Sequence, residues 1–330
     1  MLSIKNLTTT FDLDDCTVTA VDGLSFDLPQ GSTLGIVGES GSGKSVSALS
    51  ILRLLPKPMG KSSGEVLLDG ENLLNLPADD MLKIRGNKIS MIFQEPMTAL
   101  NPVHSVGKQL METFSLHFPA MSKSVAWDRS VDMLTKVGIP APEKRMHEYP
   151  HQLSGGMRQR VMIAIALSCE PDILIADEPT TALDVTVQDQ ILELMKDLQK
   201  KNNMSIIFIT HDLGVVAENC DRVLVMYAGR MVEHSTVKEL FAKPAHAYTK
   251  ALLKSLPQLN SVRKTPLETI QGLVPSLKEL KDGCRFGPRS GFEHSEESLN
   301  QRPEIREIAP DHLIEWCPDC QKSMGENQDA

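Results

Sequence analysis

A buried strand that leads through a glycine-rich loop into a helix constrains this chain more than any other feature. Residues 34–38 (LGIVG) form a continuous apolar run, which is typical of a strand covered on both faces. A helical pattern runs from Lys44 to Leu55 and stops before Pro56. The loop GESGSGKS (38–45) fits the pattern G-x-x-x-x-G-K-[ST] in the strand–loop–helix context that this pattern requires. The sequence therefore predicts an α/β fold built around a loop that holds phosphate.

The chemistry of this loop favours a nucleoside triphosphate with Mg²⁺. Its glycines allow backbone conformations that turn successive N–H groups inward, and the helix N-terminus adds positive potential. Lys44 would bring a fixed charge to the β- and γ-phosphates, and the Ser45 hydroxyl would ligate Mg²⁺. A glycine turn with a chance Lys-Ser is the alternative, but strand, loop and helix all agree with a phosphate loop. The predicted contacts with the triphosphate come from the whole loop: Gly38, Glu39, Ser40, Gly41, Ser42, Gly43, Lys44 and Ser45.

Strands that alternate with helices extend the α/β pattern, with a mainly parallel sheet, over most of the chain. The first thirty residues alternate in hydropathy and predict an N-terminal antiparallel β region. Helical patterns at 104–117 and 124–137 predict a helical subdomain at about 95–170. Residues 257–330 hold Pro, Gly, Ser and charge with few apolar runs. We therefore predict a core over residues 1–256, followed by a small, loop-rich C-terminal extension.

Polar side chains follow three predicted strands, at the edge where open parallel sheets place their ligands. DILIADE (172–178) ends in Asp177, which can hold Mg²⁺, and in Glu178, which can take a proton from an attacking water. The alternative is a surface carboxylate pair that caps the next helix, which leaves two adjacent charges on an apolar strand unexplained. His211 follows SIIFIT and could contact the γ-phosphate, although a histidine in such a place is more often structural. Gln94 closes KISMIF in the same way, and alone it is weak evidence.

A second pair of glycines opens a helix in LSGGMRQR (153–160). The free N–H groups and the dipole of such a helix favour an anion. The alternative is an ordinary N-cap at Ser154, with Gly155 and Gly156 present for close packing. The eight residues alone favour neither interpretation.

Six motifs, taken in order, resemble those of the ATP-binding subunits of ABC transporters: GESGSGKS, Gln94, LSGGM, ILIADE, TALD (181–184) and His211. The resemblance covers residues 1 to about 256 and implies a P-loop NTPase fold of the ABC type. It also implies a head-to-tail dimer, in which the signature of one subunit closes on the ATP held by the other. That arrangement explains why one chain carries two phosphate-binding motifs.

The same resemblance assigns roles to single residues. The residues that would take part in catalysis are Lys44, Gln94, Glu178 and His211. Those that would hold Mg²⁺ are Ser45, Gln94 and Asp177. The signature residues that would close on the partner's ATP are Ser154, Gly155, Gly156 and Met157. Phe11 would stack on adenine, Asp184 would organise the dimer seam, and the loop after Gln94 would contact a transmembrane partner.

Three stretches are similar to the oligopeptide/dipeptide/nickel importer branch: LSGGM with Met157, FQEPMTALNP, and PAHAYTKALLKSLP (244–257). This resemblance implies an ATP hydrolase that energises import of di- and oligopeptides, with nickel or another small solute as the alternative. The implied partners are a second, related ATPase subunit, two integral membrane permease subunits and an extracytoplasmic solute-binding protein. The implied location is peripheral, on the cytoplasmic face of the inner membrane.

In many members of that branch, four cysteines of the C-terminal region hold an iron–sulfur cluster. Here Cys284 is followed by Ser290 where a second cysteine is expected, and the next cysteines are Cys317 and Cys320. His294 and His312 are possible fourth ligands. Because the cysteine set is incomplete, we expect no iron–sulfur cluster, and free thiols rather than a bound metal.

Composition bears on the remaining classes of function. The net charge of −9 argues against nucleic acid as a partner. No apolar run approaches the roughly 18 residues that span a bilayer, and the first residues (MLSIKNL) lack the pattern of a signal peptide, so a soluble, cytosolic chain is expected. A soluble ABC-type ATPase acting on DNA or ribosomes would usually carry two ATPase halves, a coiled coil or zinc modules, and none is evident. A nucleotide-binding regulator without turnover is disfavoured by the presence of Glu178 and His211 together.

Overall fold

The computed structural model of this chain describes residues 1–180, 183–255 and 269–326. The strands are β1 (Leu2–Asp12), β2 (Thr17–Leu28), β3 (Thr33–Val37), β4 (Gly60–Leu68), β5 (Glu71–Asn72), β6 (Ile89–Ile92), β7 (Ile173–Asp177), β8 (Ser205–Ile209), β9 (Arg222–Tyr227), β10 (Arg230–Thr236), β11 (Glu304–Ala309) and β12 (His312–Trp316). The α-helices are α1 (Lys44–Ile51), α2 (Ala78–Ile84), α3 (Pro96–Ala99), α4 (Val106–His117), α5 (Lys123–Lys136), α6 (Pro142–Arg145), α7 (Gly155–Leu167), α8 (Val185–Asn202), α9 (Leu213–Asn219), α10 (Val237–Ala242), α11 (Ala247–Lys254), α12 (Glu296–Asn300) and α13 (Pro318–Glu326). Within these ranges, every helix falls short of the length and apolar character that crossing a bilayer demands.

The chain divides into two compact units, each assembled from several segments. Unit 1 comprises Met1–Leu2, Leu28–Thr33 and Asn75–Ile209. Unit 2 comprises Ser3–Asp27, Leu34–Leu74 and Thr210–Ala330. The domain boundary predicted at residues 256–257 lies outside the described residues, and unit 2 contains residues on both sides of it.

Unit 1 combines a parallel sheet with a set of helices. Strands β6, β7 and β8 run parallel in that order, and Asp177 at the end of β7 lies opposite Ile209 at the end of β8. All residues of β7 and β8 are buried, which explains their almost unbroken apolar sequences. The helices predicted at 104–117 and 124–137 are confirmed as α4 and α5, and both contact α7.

Unit 2 contains a four-stranded sheet in the order β2-β1-β4-β5, and a second set of strands in the order β11-β12-β10-β9-β3. β3 and β9 are parallel, whereas β9, β10, β12 and β11 are joined by antiparallel pairings. The hairpin between β9 and β10 turns at Gly229, as its sequence predicts. The predicted fold class, an α/β core with an N-terminal β region, is therefore confirmed.

The C-terminal extension holds more regular structure than its composition predicts. β12 pairs with β10, with Glu233 opposite Ile314, and β11 covers β12 with residues that are mostly exposed. Charged residues on an exposed edge strand obscure the alternation by which a strand is usually predicted. Phe286 of the extension packs in one hydrophobic core with Val37 of β3 and Tyr227 of β9. The extension is therefore part of the same core as the strand that leads into the glycine-rich loop.

Candidate nucleotide site

The glycine-rich loop connects the buried strand β3 to helix α1, which confirms the predicted strand–loop–helix context. A side chain at two of its glycines would collide with backbone oxygens from distant segments. A Cβ on Gly38 would lie 2.1 Å from the carbonyl oxygen of Met226, and a Cβ on Gly43 would lie 2.6 Å from that of Ala20. Gly43 also has a φ of 99°, a left-handed conformation that side chains disfavour. The loop is therefore confined by its surroundings to a backbone path that requires glycine.

Lys44 lies at the first position of α1, with only 7% of its surface exposed. Its ammonium group donates hydrogen bonds to the carbonyl oxygens of Gly38 (2.7 Å) and Glu39 (2.9 Å) and to Ser42 Oγ (3.3 Å). Because all three acceptors belong to the loop, the positive charge is held inside the turn that the loop makes. The hydroxyl residue that follows, Ser45, is half-buried in the first turn of the helix.

Glu39 connects the loop to helix α11 and to the C-terminal extension, and sequence analysis missed both contacts. Its backbone N–H donates to Tyr248 Oη (2.9 Å), and its carboxylate accepts from Arg289 Nη1 at 3.0 and 3.1 Å. Arg289 also donates to Tyr227 Oη (3.3 Å) and lies over the Tyr227 ring. Burial raises the pKa of Tyr248 well above its ordinary value, so its hydroxyl stays protonated. Tyr248 and Arg289 are 209 and 250 residues from Glu39 in the sequence, so no local pattern could reveal these contacts.

His211 lies at the carboxyl end of β3 in unit 2. The backbone N–H of Thr210 donates to the carbonyl oxygen of Ile36 (3.2 Å), two residues before the loop begins. The next residue, Asp212, caps helix α9 by accepting from the N–H groups of Gly214 and Val215. His211 itself is exposed, at the junction between the strand and this helix. Unit 2 therefore brings together the phosphate loop and the predicted histidine.

Asp177 and Glu178 lie at the edge of the parallel sheet of unit 1. Asp177 is 3% exposed, whereas Glu178 is half-buried. Glu178 adopts a left-handed φ of 47°, and its N–H donates to the carbonyl oxygen of Ile209 (2.8 Å). Such a conformation costs on the order of 1 kcal/mol for a residue with a side chain, and this kind of strain is concentrated at functional sites. Gln94 follows β6 by two residues, so the parallel register places it at the same edge, where it is exposed.

The next helix is capped by a different residue, which contradicts the alternative that Asp177 and Glu178 are a surface pair capping that helix. Helix α8 begins at Val185 and is capped by Asp184, whose Oδ1 accepts from the N–H of Val187 (3.0 Å). Two residues of the TALD motif, Thr181 and Ala182, lie outside the described residues. Asp184 thus has a structural role as a cap, and its role at a dimer seam stays a prediction.

The second glycine motif opens helix α7, and Ser154 is its N-cap, with Oγ accepting from the N–H of Met157 (3.3 Å). Close packing among the described residues does not explain Gly155, because a Cβ there would meet none of their atoms within 4 Å. Ser154 and Gly155 are both exposed. The buried Gln159, on the same helix, donates to the carbonyl oxygen of Pro179 (2.6 Å) and ties the motif to the end of β7. Sequence analysis missed that contact, for which the sequence holds no local signal.

Phe11 lies near the end of β1 in unit 2 and is half-buried. A Cβ on Gly60 would lie 3.3 Å from Phe11 Cε1, so the ring is next to the first residue of β4. The adenine contact assigned to Phe11 stays a prediction.

The comparisons with known proteins agree with this geometry. The ABC transporter family matches residues 21–181, and the family described as "Oligopeptide/dipeptide transporter, C-terminal region" matches residues 232–296. The chain is 51% identical to the probable peptide ABC transporter ATP-binding protein y4tR of Sinorhizobium fredii, over 94% of this chain and 93% of that protein. It is 50% identical to the oligopeptide transport ATP-binding protein OppD of Bacillus subtilis, over 98% of this chain and 90% of the relative.

A solved structure confirms the fold over most of the chain. The ATP-binding cassette MJ0796, in a dimeric post-hydrolysis state with ADP and Pi, superimposes with a TM-score of 0.66. It is 30% identical and covers 72% of this chain and 99% of its own. The phosphate loop, the carboxylate pair and the ordered motifs thus occur in a chain that shares half its residues with peptide transport ATPases. This chain belongs to the ATP-binding subunits of ABC transporters, in the oligopeptide and dipeptide transporter group.

Proposed function

We propose that this chain is the ATP-hydrolysing subunit that energises import of di- or oligopeptides through a membrane transporter. The observation that carries the proposal is the glycine-confined phosphate loop in a chain whose residues 232–296 match the C-terminal region of oligopeptide/dipeptide transporters. The similarity to OppD of Bacillus subtilis, a protein of oligopeptide transport, extends over 98% of this chain and supports the same solute class.

In this proposal the phosphate loop binds the triphosphate of ATP. The backbone N–H groups of residues 38–45 and the Lys44 ammonium stabilise its charge, which is the main contribution that proteins make to phosphoryl transfer. Ser45, Gln94 and Asp177 offer a hydroxyl, an amide and a carboxylate oxygen, and this all-oxygen donor set fits Mg²⁺. When bound, Mg²⁺ neutralises charge that develops on the phosphate oxygens.

Glu178 is the proposed general base. Its left-handed φ at the end of β7 supports this role, because such backbone strain is concentrated at functional sites. His211, beside the strand that leads into the phosphate loop, contacts the γ-phosphate in the same proposal. Phe11 stacks on the adenine.

The signature residues act on a second ATP, held by a partner ATPase subunit. Gly155 supports this part of the proposal because it is exposed and has open space around its missing side chain. The partner is a related, non-identical subunit, and Asp184 contributes to the seam. Two integral permease subunits, contacted by the loop after Gln94, and an extracytoplasmic solute-binding protein complete the transporter. The chain then lies peripherally on the cytoplasmic face of the inner membrane.

Replacing Glu178 tests the hydrolytic part of the proposal. Glu178→Gln should retain ATP binding but lose about 10²–10⁴-fold in turnover, since the water loses its proton acceptor. Dimers of this chain with the copurified partner ATPase subunit, closed on ATP, should accumulate, which size-exclusion chromatography of the two subunits with ATP and Mg²⁺ measures. Glu193→Gln, at an exposed position of α8, makes the same chemical change elsewhere and should hydrolyse ATP normally. Near-normal hydrolysis by Glu178→Gln would remove Glu178 from the role of base.

The solute is tested in proteoliposomes that contain the membrane proteins copurified with this chain in mild detergent. We expect ATP-dependent uptake of labelled di- or oligopeptides, abolished by Glu178→Gln. Uptake of nickel without peptide uptake would identify the alternative solute. Recovery of the chain with DNA or ribosomes, and without integral membrane proteins, would overturn the transport proposal.

A further inference from the structure

Four potential metal ligands from three segments of the C-terminal extension meet at one point. They are Cys284, His294, Cys317 and Cys320, and their ligand atoms all lie within 4.8 Å of one another. The three cysteines are almost completely buried, with 4%, 1% and 0% of their surfaces exposed. Sequence analysis left the fourth position open between His294 and His312. The structure places His294 in the group, whereas His312 is hydrogen-bonded to Glu233 (2.7 Å).

The spacing of these atoms fits one tetrahedral ion. The Sγ atoms of Cys284 and Cys320 are 3.9 Å apart, and His294 Nε2 is 3.2 Å from Cys320 Sγ. Zinc binds sulfur at about 2.3 Å and nitrogen at about 2.0–2.1 Å, which puts the ligand atoms of a tetrahedral site roughly 3.5–3.8 Å apart. The observed separations bracket that range. Cys317-Pro-Asp-Cys320 also has the short C-x₂-C spacing typical of such sites.

His294 is already oriented as a ligand. Its Nδ1 lies 3.0 Å from the carbonyl oxygen of Phe292, which can only accept a hydrogen bond. Nδ1 must therefore carry the proton, and the lone pair of Nε2 faces Cys320. Metal-binding histidines are usually fixed by such a hydrogen bond from their second nitrogen.

A carboxylate holds the histidine loop against the C-x₂-C turn. Asp319 lies between Cys317 and Cys320, and its Oδ2 accepts from both the N–H and the Oγ of Ser295, each at 2.9 Å. The residue after His294 is thus attached to the residue between the two cysteines. This contact brings the fourth ligand to the other three without help from an ion.

The four-cysteine iron–sulfur cluster implied by the family resemblance does not fit these residues. Ser290, where the second cysteine is expected, donates from Oγ to the carbonyl oxygen of Gly287 (2.8 Å) and accepts from the N–H of Phe292 (3.1 Å). Its side chain is used by a local turn and is not a member of the ligand group. A cluster also places several iron and sulfide atoms between its ligands. Ligand atoms within 4.8 Å of one another leave room for a single ion instead.

We infer that Cys284, His294, Cys317 and Cys320 bind one divalent metal ion tetrahedrally, and that the ion is Zn²⁺. Three thiolates and one imidazole are a donor set that favours zinc, and four protein ligands leave no open position for substrate. The site is therefore structural. It fixes the chain on both sides of the 3₁₀ turn Gly287–Arg289, which carries the Arg289 side chain to Glu39 of the phosphate loop.

Metal analysis of the wild-type full-length chain, purified under argon without added metal, tests the inference directly. We expect about one zinc per chain, no stoichiometric iron and no acid-labile sulfide. A thiol-specific mercurial should release the zinc as it reacts with the thiols of Cys284, Cys317 and Cys320. Exchange for Co²⁺ should give the visible absorption bands of a tetrahedral thiolate site. These readouts are independent of ATP hydrolysis and of peptide transport.

Variants locate the ion. His294→Ala and Cys320→Ser should lose the zinc and the Co²⁺ bands, whereas Cys16→Ser and Ser290→Ala should keep both. Cys16 lies between β1 and β2, distant in sequence from the four ligands. Ser290 is the position at which an iron–sulfur cluster would need a second cysteine. Wild-type chain that lacks zinc and binds none when it is supplied would overturn the site. Stoichiometric iron with acid-labile sulfide, or full zinc content in soluble His294→Ala, would also overturn it.

Discussion

Single residues of the phosphate loop are constrained by backbone atoms that come from distant parts of unit 2. Gly41 and Gly43 both have positive φ angles, 79° and 99°, but their surroundings differ. A Cβ on Gly41 would meet no atom within 4 Å, whereas a Cβ on Gly43 would lie 2.6 Å from the carbonyl oxygen of Ala20. The two glycines therefore separate the cost of backbone strain from the cost of a collision.

Replacing each glycine by alanine measures the two costs. Gly41→Ala should lower the free energy of unfolding by about 1 kcal/mol, the cost of a left-handed conformation with a side chain. Gly43→Ala adds the collision with β2 and should cost about 3 kcal/mol, with loss of ATP binding. Urea unfolding and ATP titration check both values. Equal stabilities of the two variants would contradict the collision.

Between elements, the ion pair of Arg289 with Glu39 joins the extension to the phosphate loop. Arg289→Ala would leave the Glu39 carboxylate beside the loop without its guanidinium, and negative charge there opposes a triphosphate. We expect ATP affinity to fall about fivefold, which corresponds to about 1 kcal/mol. The double variant Glu39→Gln/Arg289→Ala should recover most of the loss, as isothermal titration calorimetry can measure. Arg306→Ala, which removes an arginine stacked on Trp316 in the same extension, serves as the control and should bind ATP normally.

The junction of β10 and β12 contains a buried pair whose charge depends on pH. The hydrogen bond to Glu233 raises the pKa of His312. Burial alone would raise the pKa of Glu233, but hydrogen bonds from His312 and from the N–H groups of Ala245 and His246 bring that pKa below its usual value. The stabilisation by His312 is complete below its unfolded pKa of about 6.5 and is lost as pH rises through the higher folded pKa. The stabilisation by Glu233 is lost as pH falls through the depressed pKa of its carboxyl group.

We therefore expect the free energy of unfolding of the wild-type chain to fall as pH rises from about 6 through the raised pKa of His312. Glu233→Gln should cost about 3 kcal/mol at pH 6 and should flatten this part of the profile. Glu304→Gln, on the exposed strand β11, should leave the profile unchanged. Urea unfolding at a series of pH values checks both variants. A profile of Glu233→Gln parallel to that of wild type would contradict the assignment.

The elements that sequence patterns predicted are those whose signal is local. The phosphate loop, the strand ending in Asp177 and Glu178, and the cap at Ser154 each follow from residues within one short stretch. Arg289 and Tyr248 were missed because their partner, Glu39, lies more than 200 residues away. The edge strand β11 was missed because its exposed charges conceal its periodicity.

On the scale of the whole molecule, the signature motif allows the stability of the isolated chain to be distinguished from the activity of the dimer. Gly155 lies in the first turn of α7 and a Cβ there meets nothing, so Gly155→Ala should stabilise the isolated chain by about 0.5–1 kcal/mol. Because the proposed partner's ATP closes on this position, the same variant should lose ATP-driven dimerisation and turnover. Thermal unfolding of the isolated chain, and light scattering of the chain mixed with the copurified partner subunit and ATP, measure the two effects. A variant that is both more stable and fully active would show that no second subunit docks there.

The hydrogen bond from Arg289 to Glu39 couples the C-terminal extension energetically to any ligand that the phosphate loop binds. Thermodynamic coupling is reciprocal, so a ligand that is held better when the extension is in place must, to the same degree, hold the extension in place. Nucleotide in the loop would then slow the opening of amides near Arg289, and a loosened extension would raise the dissociation constant for nucleotide by the matching factor.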